Sequence, residues 1–232
     1  MEIRLDNTLV STTMRTPGHD YELAAGFCFT EGLLHGETIV TVRYCALGSA
    51  TDSDFNIVTV DTGGRAPAPE PRLGVTTSSC GLCGSASLDA LRDRLVPLSG
   101  LGSFDFEVLG GVAKAVRGTQ GLFDTTGGVH AAAAFDVNGA LVVVREDVGR
   151  HNAVDKVVGR LLLDDRLPAS MLGLFVSGRA SFEIVQKAWA AGFAAIVAVS
   201  APSSLAVDAA RAANLLLAGF AREGRLNVYA PE

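Results

Sequence analysis

Cys80 and Cys83 form a C-x-x-C pair in the run Thr76-Thr77-Ser78-Ser79-Cys80-Gly81-Leu82-Cys83-Gly84-Ser85. Leu88, Leu91 and Leu95 follow at helical spacing, so the pattern predicts a thiol pair just ahead of a helix N-terminus. Unpaired amides and the helix dipole favour an anion there, which lowers the pKa of a nearby thiol, that of Cys83 most directly. Three chemistries are open to such a pair. A structural zinc site needs four ligands, usually as two pairs, and here Cys28 and Cys45 stand apart from each other in apolar segments. Disulfide exchange uses this spacing in thioredoxin-type motifs, although the pair here lies in a loop between two regions rather than after the first strand of a βαβ unit. The third chemistry is sulfur carriage, in which a thiolate takes the outer sulfur of a persulfide as it would attack a disulfide. Spacing alone does not rank sulfur carriage above redox exchange.

The second half of the chain supplies elements that could position an acceptor. Apolar runs predict strands at Val129–Val137, Leu141–Glu146, Met171–Val176 and Ala194–Val199, with amphipathic helices at about Phe106–Val116, Asn152–Leu163 and from Phe182 to Trp189. Leu205–Phe220 reads as the last long helix, and Leu226–Tyr229 as an edge strand. Continuous apolar strands alternating with helices imply a sheet covered on both faces, with parallel strands in its second half. Three strand ends share one grammar: Asp147-Val148-Gly149-Arg150-His151-Asn152, Ser177-Gly178-Arg179-Ala180-Ser181 and Ser200-Ala201-Pro202-Ser203-Ser204 each lead into a helix. Ligands of open α/β sheets bind at such a rim, where helix N-termini and arginines such as Arg150 and Arg179 suit phosphate. Ordinary turn chemistry explains any one of these turns, whereas the three together point to a phosphorylated, nucleotide-like ligand. Neither a Walker A run nor G-x-G-x-x-G is present.

His151 and Asp155 are placed to pair along one helix face, and His151 could also serve as an acid, a base or a phosphate donor. Phe220-Ala221-Arg222-Glu223-Gly224-Arg225 reads as a helix end with cations near its negative pole. A zinc deaminase would need H-x-E and a later P-C-x-x-C. Here His130 is followed by Ala131 and Ala132, and the cysteine pair precedes the histidine.

The first part of the chain differs. Met1 to Met14 predicts a β-hairpin turning at Asp6-Asn7, then a helix from Asp20 to Leu34 with Asp20 as N-cap, and strands at Ile39–Ala46 and Phe55–Val60. Gly63 to Pro71 is a loop by composition. Cys28 and Cys45 read as buried small hydrophobes.

Composition bounds the class. The 232 residues suffice for one large or two small domains, and 48% hydrophobic with 19% charged residues fits a globular protein. A net charge of -6 and a pI near 5.2 argue against a general nucleic-acid binder. No run approaches the roughly 20 apolar residues of a membrane span, Met1-Glu2-Ile3-Arg4 carries no signal-peptide pattern, and the cysteine usage fits a reducing cytoplasm.

The chain resembles the FdhD/NarQ family of formate dehydrogenase accessory proteins. Four stretches carry the resemblance in order: Thr16-Pro17-Gly18-His19-Asp20 to Thr30-Glu31-Gly32, Cys80-Gly81-Leu82-Cys83-Gly84, the run from Glu146 to Lys156, and Ser177-Gly178-Arg179-Ala180-Ser181-Phe182-Glu183. The run Glu146-Asp147-Val148-Gly149-Arg150-His151-Asn152-Ala153-Val154-Asp155-Lys156 is the most specific. The resemblance implies a cytoplasmic, homodimeric, sulfurtransferase-type carrier. Such a protein takes sulfane sulfur from a cysteine desulfurase as a persulfide on Cys80, with Cys83 as partner. It passes the sulfur to the molybdenum bis(molybdopterin guanine dinucleotide) cofactor, or its tungsten counterpart, destined for formate dehydrogenase. It implies a cofactor-binding segment at Phe220, Ala221, Arg222, Glu223, Gly224 and Arg225. Arg150, His151, Ser177, Gly178 and Arg179 of the strand ends are expected to border the guanine-nucleotide-type ligand. The implied fold is α/β: a cytidine-deaminase-like three-layer α/β/α sheet without the zinc site over 101–232, a cysteine loop and helix over 75–100, and a smaller β-rich α+β N-terminal domain over 1–74. The alternatives are a cofactor-binding chaperone without sulfur transfer and a thiol-disulfide oxidoreductase.

Overall fold

Alternation of apolar and polar residues at the start of the chain makes a short hairpin. In the computed structural model, which describes residues 1–45, 49–68 and 84–231, β1 (Glu2–Leu5) and β2 (Thr8–Thr12) pair antiparallel. Asp6 (φ 46°) and Asn7 (φ 72°) turn them as expected, both in the left-handed region that a tight hairpin turn demands. β3 (Thr41–Tyr44) and β4 (Ile57–Asp61) complete a mixed sheet of order β2-β1-β4-β3, in which β1 and β4 are parallel. α1 (Asp20–Thr30) closes its core, packing Leu23, Ala24 and Cys28 on Ile3, Leu5, Val58 and Val60. Asp20 is the first helical residue rather than the cap, which is His19 at φ 57°. The Asp20 carboxylate is instead held by Arg15 (2.9 Å) and the Tyr44 hydroxyl (3.1 Å). Cys28 is fully buried, and burial pushes its thiol pKa well up. Cys45 departs from expectation: it is half-buried at positive φ, with Sγ 2.9 Å from Ser53 Oγ.

The rest of the described chain runs α2 (Gly84–Arg94), α3 (Phe106–Arg117), α4 (Gly121–Thr126), β5 (His130–Asp136), β6 (Leu141–Asp147), α5 (Arg150–Leu163), β7 (Leu172–Val176), α6 (Phe182–Ala191), β8 (Ala195–Ala198), α7 (Ser204–Ala213), β9 (Leu216–Arg222) and β10 (Arg225–Ala230). The second sheet has the order β10-β9-β8-β7-β5-β6. β7, β8 and β9 are parallel, and β5 is antiparallel to both β6 and β7, so β6 runs with β7. Alternate side chains feed two cores. Ala132, Ala134, Leu174 and Val176 pack with Val154, Val185 and Ala209 of α5, α6 and α7. Ala131, Ala133, Phe135, Phe175 and Val197 pack with Leu109, Val112 and Val116 of α3. The sheet is thus covered on both faces, as its continuous apolar strands require. No helix among the described residues is long and apolar enough to cross a membrane.

The two sheets meet through α1 and α5. A Cβ on Gly26 would lie 1.9 Å from the Asp155 carbonyl oxygen, and one on Gly159 1.8 Å from that of Glu22, so only glycine lets these backbones touch. Beside this crossing, the buried Lys187 ammonium bonds Asp155 (2.9 and 3.0 Å), Thr30 (3.0 Å) and Glu31 (3.2 Å). Burial disfavours that ammonium, yet the Asp155 and Glu31 carboxylates outweigh it and hold the Lys187 pKa above its ordinary value.

Candidate functional site

Because β6, β7, β8 and β9 run the same way, their C-terminal ends share one rim with the start of β5. The three strand-end loops expected from the sequence all open there, into α5, α6 and α7. Ser203 caps α7, its hydroxyl accepting from the Ala206 amide (3.2 Å). The loop into α5 is fixed by the fully buried Asp147. Its Oδ1 accepts from Gly149 N (2.9 Å) and Asn152 Nδ2 (3.0 Å). Its Oδ2 takes Thr16 N (3.1 Å) and Lys156 Nζ (2.7 Å), and that ammonium also reaches the Thr16 carbonyl (2.9 Å). A strap from the N-terminal region therefore locks the turn that presents Arg150.

Arg150 Nε is buried with no hydrogen-bond partner among the described residues. Gly178 makes room beside it: a Cβ there would lie 3.5 Å from Arg150 Cδ and 3.6 Å from the His130 ring. His130 Nδ1 is 3.4 Å from Ser177 Oγ, which accepts the Ala131 amide (2.9 Å). Burial and then the Arg150 charge lower the His130 pKa. His151 Nε2 lies 3.1 Å from Ser181 Oγ, not against Asp155. Burial, then Arg150, push the His151 pKa down to about 4, so the ring is neutral near pH 7. The His151–Asp155 pair that the spacing allows does not form, because Asp155 sits in the α1–α6 seam, where Lys187 and Thr30 already satisfy it.

On the α3 side of the rim lies a cavity of about 670 Å³. Lys114, Arg117 and Arg222 bring positive charge to it, with His130, Ser177 and Glu223 alongside. The segment Phe220–Arg225 reaches this place as a β-hairpin, which corrects the expected helix end. α7 stops at Ala213, where Asn214 turns left-handed (φ 58°), and the following apolar run becomes β9, paired with β8 and β10. An uninterrupted apolar run is compatible with a buried helix or a buried strand, and here pairing decides. Gly224 (φ 76°) makes the turn, and its carbonyl packs so close to α3 that a Cβ on Gly110 would meet it at 2.8 Å.

Of the expected residues, Ser177, Ala221, Arg222 and Glu223 line the cavity. Arg150 and Gly178 abut His130 at its edge. His151 is engaged with Ser181, while Arg179, Phe220, Gly224 and Arg225 are exposed. Cys80 and Cys83 lie outside the described residues. The helix expected after them is α2, which begins at Gly84. Leu88 of α2 borders a groove with Ser204 and Leu205 at the start of α7, and Leu98 beyond α2 donates to Ala213 O at the end of α7 (2.9 Å). α2 therefore runs alongside α7 with its N-terminal half toward the rim. Sequence reading did not single out Arg117, Gln120 or Phe123, because α4 is too short for a periodic signal. Lys114 and Arg117, which lie off the apolar stripe of α3, were the available hint.

A family model for the FdhD/NarQ family matches residues 1–232. The chain is 48% identical to the sulfur carrier protein FdhD of Streptomyces avermitilis over 244 aligned positions, covering 100% of this chain and 85% of the relative. It is 46% identical to the sulfur carrier protein FdhD of Mycobacterium tuberculosis, covering 99% and 87%. The crystal structure of a putative formate dehydrogenase accessory protein from Desulfotalea psychrophila superposes with a TM-score of 0.74 at 26% identity, covering 100% of this chain and 86% of that one. Sequence, length and fold agree over the whole chain, which therefore belongs to the FdhD/NarQ family.

Proposed function

We propose that this protein is a sulfur carrier serving formate dehydrogenase. Cys80 takes sulfane sulfur from a cysteine desulfurase as a persulfide and delivers it to a molybdenum bis(molybdopterin guanine dinucleotide) acceptor held at the sheet rim. The observation that carries the reading is the cation-lined cavity at the strand ends, with the N-terminal half of α2, the helix that begins directly after Cys83, lying toward that rim. The names of the relatives support the same role. Arg222, Lys114 and Arg150 supply charge for the phosphates of the acceptor. In the delivery step the Cys83 thiolate attacks the inner sulfur of the Cys80 persulfide. The bond between inner and outer sulfur breaks, a Cys80–Cys83 disulfide forms, and the outer sulfur leaves as hydrosulfide for the acceptor. The two thiols lose the two electrons that the sulfane sulfur gains. The reading includes a cytoplasmic homodimer and a cytidine-deaminase-like fold of the α/β domain without the zinc site.

Mass spectrometry after incubation with a cysteine desulfurase and cysteine tests the first step. Wild type should gain the mass of one sulfur atom, and Cys80→Ala should not. No gain on wild type, or equal gain on Cys80→Ala, sinks the carrier role. Rescue of formate dehydrogenase activity by a Cys80→Ala/Cys83→Ala double variant would favour a chaperone that holds the cofactor without transferring sulfur.

A further inference from the structure

The run Thr30-Glu31-Gly32 does not line the cavity, yet it receives a side chain from another helix. α1 ends at Thr30, with Glu31 as its C-cap and no basic residue in its last turn. The Gly32 and Leu33 amides meet the Phe29 and Cys28 carbonyls at 2.9 Å each. The carbonyls of Glu31 and Thr30 are met instead by Arg94, the last residue of α2, which donates from Nη1 at 2.7 Å and from Nη2 at 3.3 Å. A cation there also complements the negative end of the α1 dipole. Gly32 (φ 76°) keeps the seat open, since a Cβ on it would lie 2.6 Å from Arg94 Nη1 and 3.2 Å from Cζ. From the interior, Lys187 bonds the Glu31 carboxylate and the Thr30 hydroxyl, so the seat is itself fixed. Just past α2, Trp189 Nε1 donates to Val96 O at 2.7 Å. Leu98 is bonded to Ala213 O (2.9 Å) and Asn214 Nδ2 (3.1 Å).

We propose that Arg94 is a positioning residue for sulfur delivery: seated on Thr30-Glu31-Gly32, it fixes the axis of α2 and so the point from which the chain leads back to Cys83. The inference rests on the sulfur-carrier reading above and adds a residue that acts through α2. Gly84, the first residue of α2, is bonded to Cys83, so wherever the helix start goes the cysteine pair is carried along. Gly84 and Arg94 are about 15 Å apart along the helix axis, so a tilt of about 10° on losing the seat moves the helix start by roughly 2–3 Å. A misplacement of about 1 Å can slow a transfer step about 100-fold. The same separation exceeds the Debye length of about 8 Å, so Arg94 acts by holding the helix and not by its field on the thiols. Capture of sulfur from a donor that approaches from solvent tolerates such a shift, whereas delivery to an acceptor held at the rim does not.

Two readouts on the full chain test this: sulfur loading by a cysteine desulfurase and cysteine, followed by mass spectrometry, and formate dehydrogenase activity in cells that lack their own carrier. Arg94→Ala should load sulfur to the wild-type extent while supporting roughly tenfold less dehydrogenase activity at equal protein level. Arg94→Lys, whose ammonium can still bond a carbonyl of the seat, should recover part of that loss. Gly32→Ala, which fills the seat, should lower the activity in the wild-type background and add nothing in the Arg94→Ala background. Circular dichroism and thermal melting confirm that each variant folds. The positioning role is overturned if Arg94→Ala supports wild-type activity, if its loading falls as far as its activity, or if Gly32→Ala costs the same in both backgrounds. Failure of wild type to load sulfur at all overturns the carrier reading itself, and the inference with it.

Discussion

At the residue scale, His151 is the clearest case of an environment overriding a side chain's ordinary behaviour. Its ring is largely buried at the start of α5, beside Arg150 and bonded to Ser181. An unfolded histidine takes its proton near pH 6.5, whereas this one takes it only near about 4. Between those values the unfolded chain binds more protons, so stability falls as the pH falls. From about pH 7.5 to about pH 5 the loss through His151 should be roughly 2 kcal/mol. Urea denaturation of wild type and His151→Gln at both pH values measures it. The variant should lose less stability on acidification, and equal losses would mean that the ring is not buried neutral. The sequence placed His151 on a helix start and left its role open between a pair with Asp155 and an acid, base or phosphate donor; its partner is Ser181. The spacing to Asp155 is right for pairing, but a buried ammonium from another helix outcompetes a neutral imidazole for a carboxylate.

At the element scale, the α1–α5 crossing depends on two glycines whose significance is invisible along the chain. Gly159→Ala puts a methyl group 1.8 Å from a backbone oxygen, which has no rotamer by which to yield. The helices must separate, and we expect a loss of about 3 kcal/mol or more, at the upper end of the overpacking range. Gly26→Ala should behave alike, since its Cβ would lie 1.9 Å from the Asp155 oxygen. Gly111→Ala is the control: it lies within α3 with nothing within 4 Å of its Cβ, and it should gain about 0.5–1 kcal/mol from helix propensity. Thermal melts of the three variants separate close approach from propensity. A melt for Gly159→Ala matching that of Gly111→Ala would refute the tight crossing.

At the scale of the whole molecule, the Lys187–Asp155–Thr30 cluster ties the helices of the α/β sheet to α1 and its smaller sheet. Removing one charge strands the other in the interior, so Lys187→Met should cost about 3–5 kcal/mol, whereas Asp155→Leu/Lys187→Met should recover most of that loss. Denaturant midpoints for the single and double variants decide the matter, and equal losses would show that the pair is not coupled. The sequence by itself determined the hairpin at Asp6-Asn7, the alternating strands and helices after residue 105, the three strand-end loops, and the helix that follows Cys83. Those features are local: turn residues need particular backbone angles, and apolar spacing declares which face is buried. Tertiary structure alone decided the rest. Phe220–Arg225 became a strand and turn because β8 and β10 supplied the hydrogen bonds that an apolar run leaves open to either structure. Gln120, Arg117 and Phe123 came together at a cavity with Ser177 and Arg222 because the chain folds distant segments onto one rim. No spacing along the chain encodes such a meeting, since the distances that matter are set by packing.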